Sequence, residues 1–500
     1  MNYNMETGAL ESVISLPLSS RVINCDINED ITLPEGYPDV RRVLALRENL
    51  LSPSKFVGAR SVEISGAVDY TLIYSGVDGN IYGAPFSAEY GFSMPLENAD
   101  KLDIGESATV ICSLCGDNGS VRISSPRRLQ IRSGVKAAVS CFGRSRLGED
   151  LRGVDDHSSL YRRQDTAPCA FLRCESSDVV TLADEYMIGS DARVISSSGE
   201  VLVSDARIDG EVVRINGEAI IRLLIETDGR FERVARRLPF DAESDLDELD
   251  LYEGDVFCRA IGSINELDVS VEDGRASIEA GIVLEVCLAQ NTSVNLVKDI
   301  FSTKQVCSAE YSKISLPSLL FNKNSSITQS ERMPCADIGL PENVEIIDVF
   351  GVAECEACEL EKGRYTVRGN TKYKIIYRCD GDFSVCEALI PFKHESDGGE
   401  LAVDGYCVSV CVSNPRARSD GENLLIESEL AISALAYGSN DVDVLSSASF
   451  GEEIKQEKNQ FIVCFGSEGE SLFELAKRYC VPLEQISERF EDGNFVVIER

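Results

Sequence analysis

Two Cys-x-x-Cys pairs are the residues best spaced for chemistry: Cys112-Ser-Leu-Cys115 and Cys355-Glu-Ala-Cys358. Thiolates at this spacing bind zinc, and the two pairs together could make a four-thiolate site. The other reading is buried, apolar, free cysteine. The pairs fall at unmatched places in the repeat described below, which favours the second reading; no metal or other cofactor is expected. The chain has only two histidines, His157 and His394, both expected in exposed loops, so it offers little for histidine-based acid-base or nucleophilic catalysis. The acidic run from Asp241 to Asp255 could attract Ca²⁺ weakly, but it lacks EF-hand spacing and reads as a solvated hairpin loop. The phosphate-loop and dinucleotide glycine patterns are missing. No enzyme is expected.

The elements that carry these residues repeat three times. The segments Val62-Glu-Ile-Ser-Gly66-Ala-Val-Asp-Tyr-Thr-Leu-Ile-Tyr74, Val213-Arg-Ile-Asn-Gly217-Glu-Ala-Ile-Ile-Arg-Leu-Leu-Ile225 and Tyr365-Thr-Val-Arg-Gly369-Asn-Thr-Lys-Tyr-Lys-Ile-Ile-Tyr377 align at a period of about 150 residues. Each alternates with period two and predicts a half-buried antiparallel strand with one wet face. The glycine sits on the apolar face and predicts a bulge or a close backbone approach. A second landmark, at Ile131, Ile278 and Ile426, keeps nearly the same period. Asp78-Gly79-Asn80, Asp228-Gly229 and Asp380-Gly381-Asp382 follow the first strand as hairpin turns. Each unit therefore predicts a compact β-sandwich or barrel-like domain, with a short helix around Asp39 to Leu46 in the first.

This register divides the 500-residue chain into a first β domain at 1–143, a flexible linker at 144–168, a second β domain at 169–292, a third at 293–438, a polar linker at 439–459 and a terminal module at 460–500. Lysine and arginine total 48 against 84 acidic residues, a net charge of −36, which repels nucleic acid and anionic lipid. The amino-terminal run Met1 to Glu6 has neither the basic nor the apolar region of a leader, and no stretch is apolar enough to span a membrane. A cytoplasmic protein with its 18 cysteines mostly reduced is the expectation, without disulfides.

The terminal module reads strand, helix, helix, strand. Gln460 to Cys464 is a short apolar strand; Ser471 and Glu474 have capping-box spacing; Leu472, Leu475, Ala476 and Tyr479 form one helical face. A second helix starts at Pro482 with Leu483, Ile486 and Phe490 on one side, and Phe495 to Ile498 closes the module.

Here a family resemblance emerges. Gly469-Glu-Ser-Leu-Phe-Glu-Leu-Ala476 followed by Arg478-Tyr-Cys-Val-Pro-Leu-Glu-Gln-Ile486 resembles the LysM domain, with Glu470 in place of the usual Asp. The three preceding units, with the Ile31-Thr-Leu-Pro34-Glu-Gly-Tyr-Pro-Asp-Val40 leading segment, resemble the SPOCS domain of endospore formers. The order of the two is that of the SipL-like family of spore coat morphogenetic proteins. The resemblance implies a mainly β chain of three tandem SPOCS domains and a βααβ LysM module. It also implies a non-enzymatic scaffold in the mother-cell cytoplasm, recruited to the forespore surface and spore coat by a coat morphogenetic ATPase that the LysM contacts. The LysM groove falls between the loops around Phe465, Gly466, Glu468, Gly469, Glu470 and Ser471, with Phe473 nearby, and those around Glu491, Asp492 and Asn494. Its acidic edge suits a basic protein surface. Peptidoglycan, bound through its N-acetyl sugars, is the alternative ligand.

Overall fold

The computed structural model describes residues 12–97, 108–117, 119–147, 159–176, 179–245, 256–397, 400–455, 461–465, 470–487 and 495–499. These form almost wholly antiparallel β structure. The first unit contains β1 (Ser12–Thr32), β2 (Val40–Leu50), β3 (Ser54–Val57), β4 (Ser61–Gly76), β5 (Ile81–Pro95), β6 (Thr109–Gly116), β7 (Ser120–Ser125) and β8 (Arg128–Leu147). The second contains β9 (Leu160–Ser176), β10 (Val180–Met187), β11 (Arg193–Asp209), β12 (Val212–Thr227), β13 (Arg230–Asp245), β14 (Val256–Glu272) and β15 (Arg275–Ser302). The third contains β16 (Gln305–Pro334), β17 (Glu345–Glu361), β18 (Arg364–Cys379), β19 (Asp382–Ser396), β20 (Gly405–Ser419) and β21 (Asn423–Glu453).

Every unit has one plan. A meander (β2 with β3, β4, β5; then β11-β12-β13; then β17-β18-β19) packs on a second sheet whose central strand is β8, β15 or β21. The facing apolar sides make one core per unit. The repeated glycine strands are the meander centres β4, β12 and β18, and their alternate residues are the core, as period two dictates.

The glycines have a common cause. Gly66, Gly217 and Gly369 lie directly opposite Tyr90, Phe240 and Phe392. A Cβ on them would come within 2.5 Å of Tyr90 Oη and 2.6 Å of the Phe240 and Phe392 rings. On the other side the pairing slips, between Val203 and Asp205 and between Cys355 and Ala357, while in the first unit the strand breaks between β2 and β3. The glycine thus admits an aromatic ring and a bulge at once. Gly369→Ala is expected to cost about 1–3 kcal/mol through overpacking. Gly91→Ala, whose Cβ would meet nothing nearer than 4.0 Å, should cost little; urea midpoints of the two variants check this.

Three sequence expectations need correction. Residues 40–50 form β2, with no helix from Asp39 to Leu46. The 144–168 segment is not a linker throughout, because β8 runs to Leu147 and β9 begins at Leu160, pairing with the far half of β15. Residues 293–302 accordingly belong to the second unit. The 439–459 segment continues β21 as far as Glu453, paired with β16.

These long strands extend beyond the sandwiches as two-stranded ribbons that pack together in layers. Phe142, Ala170, Leu172, Cys287, Ala289, Leu435 and Tyr437 make one layer; Ala167, Cys169, Val294, Leu296, Leu316 and Val444 make the next. The three units also meet at their other faces. Leu44, Ile195 and Ile347 are each the extra residue of a β-bulge, and they bury with Ile73, Leu224 and Ile376 in one shared cluster. Equivalent residues from every unit contribute, so the units adopt an approximate threefold arrangement.

Candidate functional site

The terminal module consists of β22 (Phe461–Phe465), α1 (Leu472–Tyr479), α2 (Leu483–Ser487) and β23 (Phe495–Glu499), with β22 and β23 antiparallel. Ser471 caps α1: its Oγ accepts from the Glu474 N–H at 3.2 Å, and the Glu474 carboxylate accepts from the Ser471 N–H at 2.9 Å. This box satisfies two free donors of the first turn. Those bonds to Ser471, chiefly that from its backbone, hold the Glu474 carboxyl below its usual range. At the other end Cys480 takes a left-handed conformation, φ 50°, and its N–H closes the helix.

The apolar face of this module does not stand alone. Phe473, Leu475, Ala476, Val481, Ile486 and Cys464 bury together with Phe301 of β15. The Phe301 ring stacks on Tyr161 at 5.1 Å and meets Phe473 edge-on at 5.1 Å. The Arg163 guanidinium lies over the Phe473 ring, 5.8 Å from its centroid. Polar contacts surround the seat: Lys477 Nζ donates to Asp299 at 2.5 Å, the Tyr311 hydroxyl donates to the same carboxylate at 2.6 Å, and the Tyr161 hydroxyl donates to Glu484 at 2.9 Å. Burial alone would raise the Asp299 pKa, but the bonds from Lys477 and Tyr311 outweigh it and the carboxyl is held low. Burial, then the Asp299 charge, pushes Tyr311 up to about 12.

A carboxyl whose folded pKa is depressed contributes stability above its unfolded value, and loses it as pH falls through the folded one. Asp299 should therefore anchor the module at neutral pH and release it below about pH 4. Hydrogen exchange of the α1 amides across that range is the measurement. Asp299→Asn should weaken protection near neutrality and reduce the acid dependence, leaving the part owed to the Glu474 cap.

Of the residues expected at the groove, four are described. Phe465 is exposed at 58% and its carbonyl accepts from Arg478. Glu470 pairs with Arg478, and Ser471 is the cap. Phe473 corrects the sequence reading: at 1% exposure it is spent on the Phe301 contact and cannot meet a partner directly. Gly466, Glu468, Gly469, Glu491, Asp492 and Asn494 lie outside the described residues. Sequence reasoning missed Tyr161, Asp299, Phe301 and Tyr311. A bulge between Val297 and Asp299 breaks the alternation there and leaves Ile300 and Phe301 both buried.

A second place gathers charge. Between the three units lies a cavity of 640 Å³ whose lining includes Arg47, Glu200, Arg222, Glu285, Cys411 and Ser433. Several charges in and around it bridge the units, while the Arg222–Glu200 pair stays within the second. Arg47 of the first unit donates to Ser196 of the second at 3.0 Å, lies 3.6 Å from Asp348 of the third, and covers the Phe350 ring at 5.1 Å. Lys55 pairs with Glu285, Lys136 with Glu354 at 2.5 Å, and Arg222 with Glu200, onto which the Cys411 thiol donates at 2.8 Å. Arg222 at the cavity and Lys374, which donates to the Gly119 carbonyl of the first unit, lie on the polar faces of their strands yet are largely enclosed, because that end of each meander faces the neighbouring units.

His394 is likewise not in a loop. It lies within β19, 3.0 Å from Ser325 Oγ, and burial followed by the Lys323 charge lowers its pKa. His157 lies outside the described residues, as does the acidic run beyond Asp245. Among the described residues no three His, Cys, Asp or Glu side chains converge as metal ligands, and no helix is long and apolar enough to cross a membrane. No protein-family model, curated protein or solved structure matches the chain.

Proposed function

We propose that the chain is a non-enzymatic assembly scaffold of the SipL-like kind, in which three SPOCS-like units form one body that presents a LysM-like module to a coat morphogenetic ATPase. The observation that carries this reading is the seat of the module. The module rests on the outer end of the ribbons through Phe301 and Asp299, with its strand end at Phe465 exposed. Three ion pairs of the body, Arg47–Asp348, Lys55–Glu285 and Lys136–Glu354, run between units, the use expected in a rigid platform. The family resemblance supplies the identity of the partner and the setting, the mother-cell cytoplasm and the forespore surface.

A partner surface on the acidic side of the module would be basic, and its capture would weaken with salt. The test uses the whole chain, because an isolated module would expose the apolar face that Phe301 covers. Full-length protein and a version ending at residue 455 are each offered to the purified ATPase and to insoluble peptidoglycan. Salt-sensitive retention of the full chain on the ATPase, lost on truncation, is the expected result. Retention on peptidoglycan alone would replace this reading with wall-glycan binding.

A further inference from the structure

On the sheet of the second unit, where it packs against the other two units, three chemically matched side chains stand in a row. Cys287 lies on the central strand β15; directly opposite it are Cys174 on β9 and Arg259 on β14. Directly opposed residues of antiparallel strands share a face, and their Cα atoms lie about 4.5–5.5 Å apart, inside the range a disulfide spans. The Cys174 and Cys287 side chains therefore stand side by side on that face. Arg259 is only 1% exposed, and its Nη1 donates to Ser433 at 3.0 Å, whereas its Nε and Nη2 have no acceptor. A buried guanidinium with two idle donors is costly unless a negative charge is close, and the sulfur opposite it can supply one.

We propose that Cys174 and Cys287 form a redox-active dithiol site, which hydrogen peroxide oxidises to a cross-strand disulfide, with Arg259 as the positioning residue beside the reacting sulfur. The direction of each ionisation agrees. Burial pushes the Cys174 thiol well up, while the hydrogen bond it gives lowers Cys287 against the effect of burial, helped by the Arg259 charge. Cys258, Glu285 and Lys55 also act on the pair, Cys407 packs in the same layer, and Lys55 is already paired with Glu285. Cys174 is the partly exposed member of the pair and Cys287 the buried one, 2% exposed, so the oxidant has to enter from the Cys174 side.

The chemistry balances. The Cys287 thiolate attacks one peroxide oxygen; the S–O bond forms, the O–O bond breaks, and hydroxide leaves to become water, giving a sulfenic acid. The Cys174 sulfur then attacks the sulfenic sulfur, its proton leaving with the hydroxyl group as a second water. Two thiols lose two electrons in all, and one peroxide is reduced to two waters.

The test treats the full chain with hydrogen peroxide and maps disulfides by mass spectrometry without reduction. Loss of two of the 18 thiols and a Cys174–Cys287 linked peptide are expected. Cys174→Ser should instead accumulate a sulfenic acid on Cys287, trapped by a dione probe. Arg259→Gln should slow oxidation about tenfold or more, since an ordinary thiol is only a few per cent ionised near neutral pH. If that variant fails to fold, the pH titration of thiolate absorbance in the native chain serves in its place: its lowest step should be lost in Cys287→Ser. An unchanged titration in that variant, or oxidation of Cys25 and Cys379 with Cys287 left reduced, would overturn the proposal.

Discussion

Asp348→Ala is expected to lower the stability of the three-unit body by about 3–5 kcal/mol, the cost of stranding a buried charge. Asp348 and Arg47 are 5% and 6% exposed at their side chains, 3.6 Å apart. Without the carboxylate, Arg47 keeps the Ser196 hydroxyl, the face of Phe350 and the more weakly acting Glu200 charge, too little for an enclosed guanidinium. Burial already lowers the Arg47 pKa, with the Asp348 charge opposing that effect. The location multiplies the consequence. Ala45, Ser196 and Asp348 hold one register position, opposite Ile73, Leu224 and Ile376. Arg47 therefore reaches from its own unit to that position in both others, and its loss loosens the first unit's interfaces with the second and the third. Replacing the pair together, Arg47→Met with Asp348→Leu, should restore most of the loss, because neither charge is then left unpaired. Urea denaturation of the wild type, the single variant and the double variant decides. An unchanged midpoint in the single variant, or a double variant weaker than the single, would show that the pair does not hold the units together.

The same residues explain what could be read beforehand. The period-two strands, their glycines and the closing βααβ pattern were legible because each is written in local alternation or capping chemistry. The mutual packing of the units was written too, but as a fault in the alternation. Leu72-Ile73-Tyr74, Leu223-Leu224-Ile225 and Ile375-Ile376-Tyr377 are apolar on both faces, and the middle residue of each enters the shared cluster. The bulge at Leu44 spoils the count further. It leaves Val40, Val43 and Leu44 at helical spacing, which is why a strand reads as a short helix. The ribbons were hidden for a different reason. Each buries one narrow side, in part through small residues such as Ala167 and Cys169, so its composition stays polar and resembles a linker. In the terminal module the Ser471–Glu474 cap was legible, while the fate of Phe473 was not, since its partner Phe301 belongs to another unit and no local pattern joins them.

Phe301→Ala should detach the terminal module while leaving the three-unit body folded. The ring is 3% exposed, stacked on Tyr161 and edge-on to Phe473, and truncating such a phenylalanine costs about 3–5 kcal/mol. That cost falls on one contact. The core of each unit contains neither Phe301 nor any residue of the module, so the body keeps its own packing. The module has less to spare, because about 40 residues around so few apolar side chains sit at the margin of independent stability. Once undocked, it exposes Phe473 and loses much of the protection of α1. Hydrogen exchange should show fast α1 amides in the variant beside unchanged amides in β12 and β18. Equal protection of α1 in the variant and the wild type would mean that the module folds without its seat. The distinction bears on the proposed scaffold. If the seat holds the module in shape, Phe301→Ala should lose the ATPase as fully as truncation does, though no residue of the binding loops has changed. A module that is merely tethered would keep its grip.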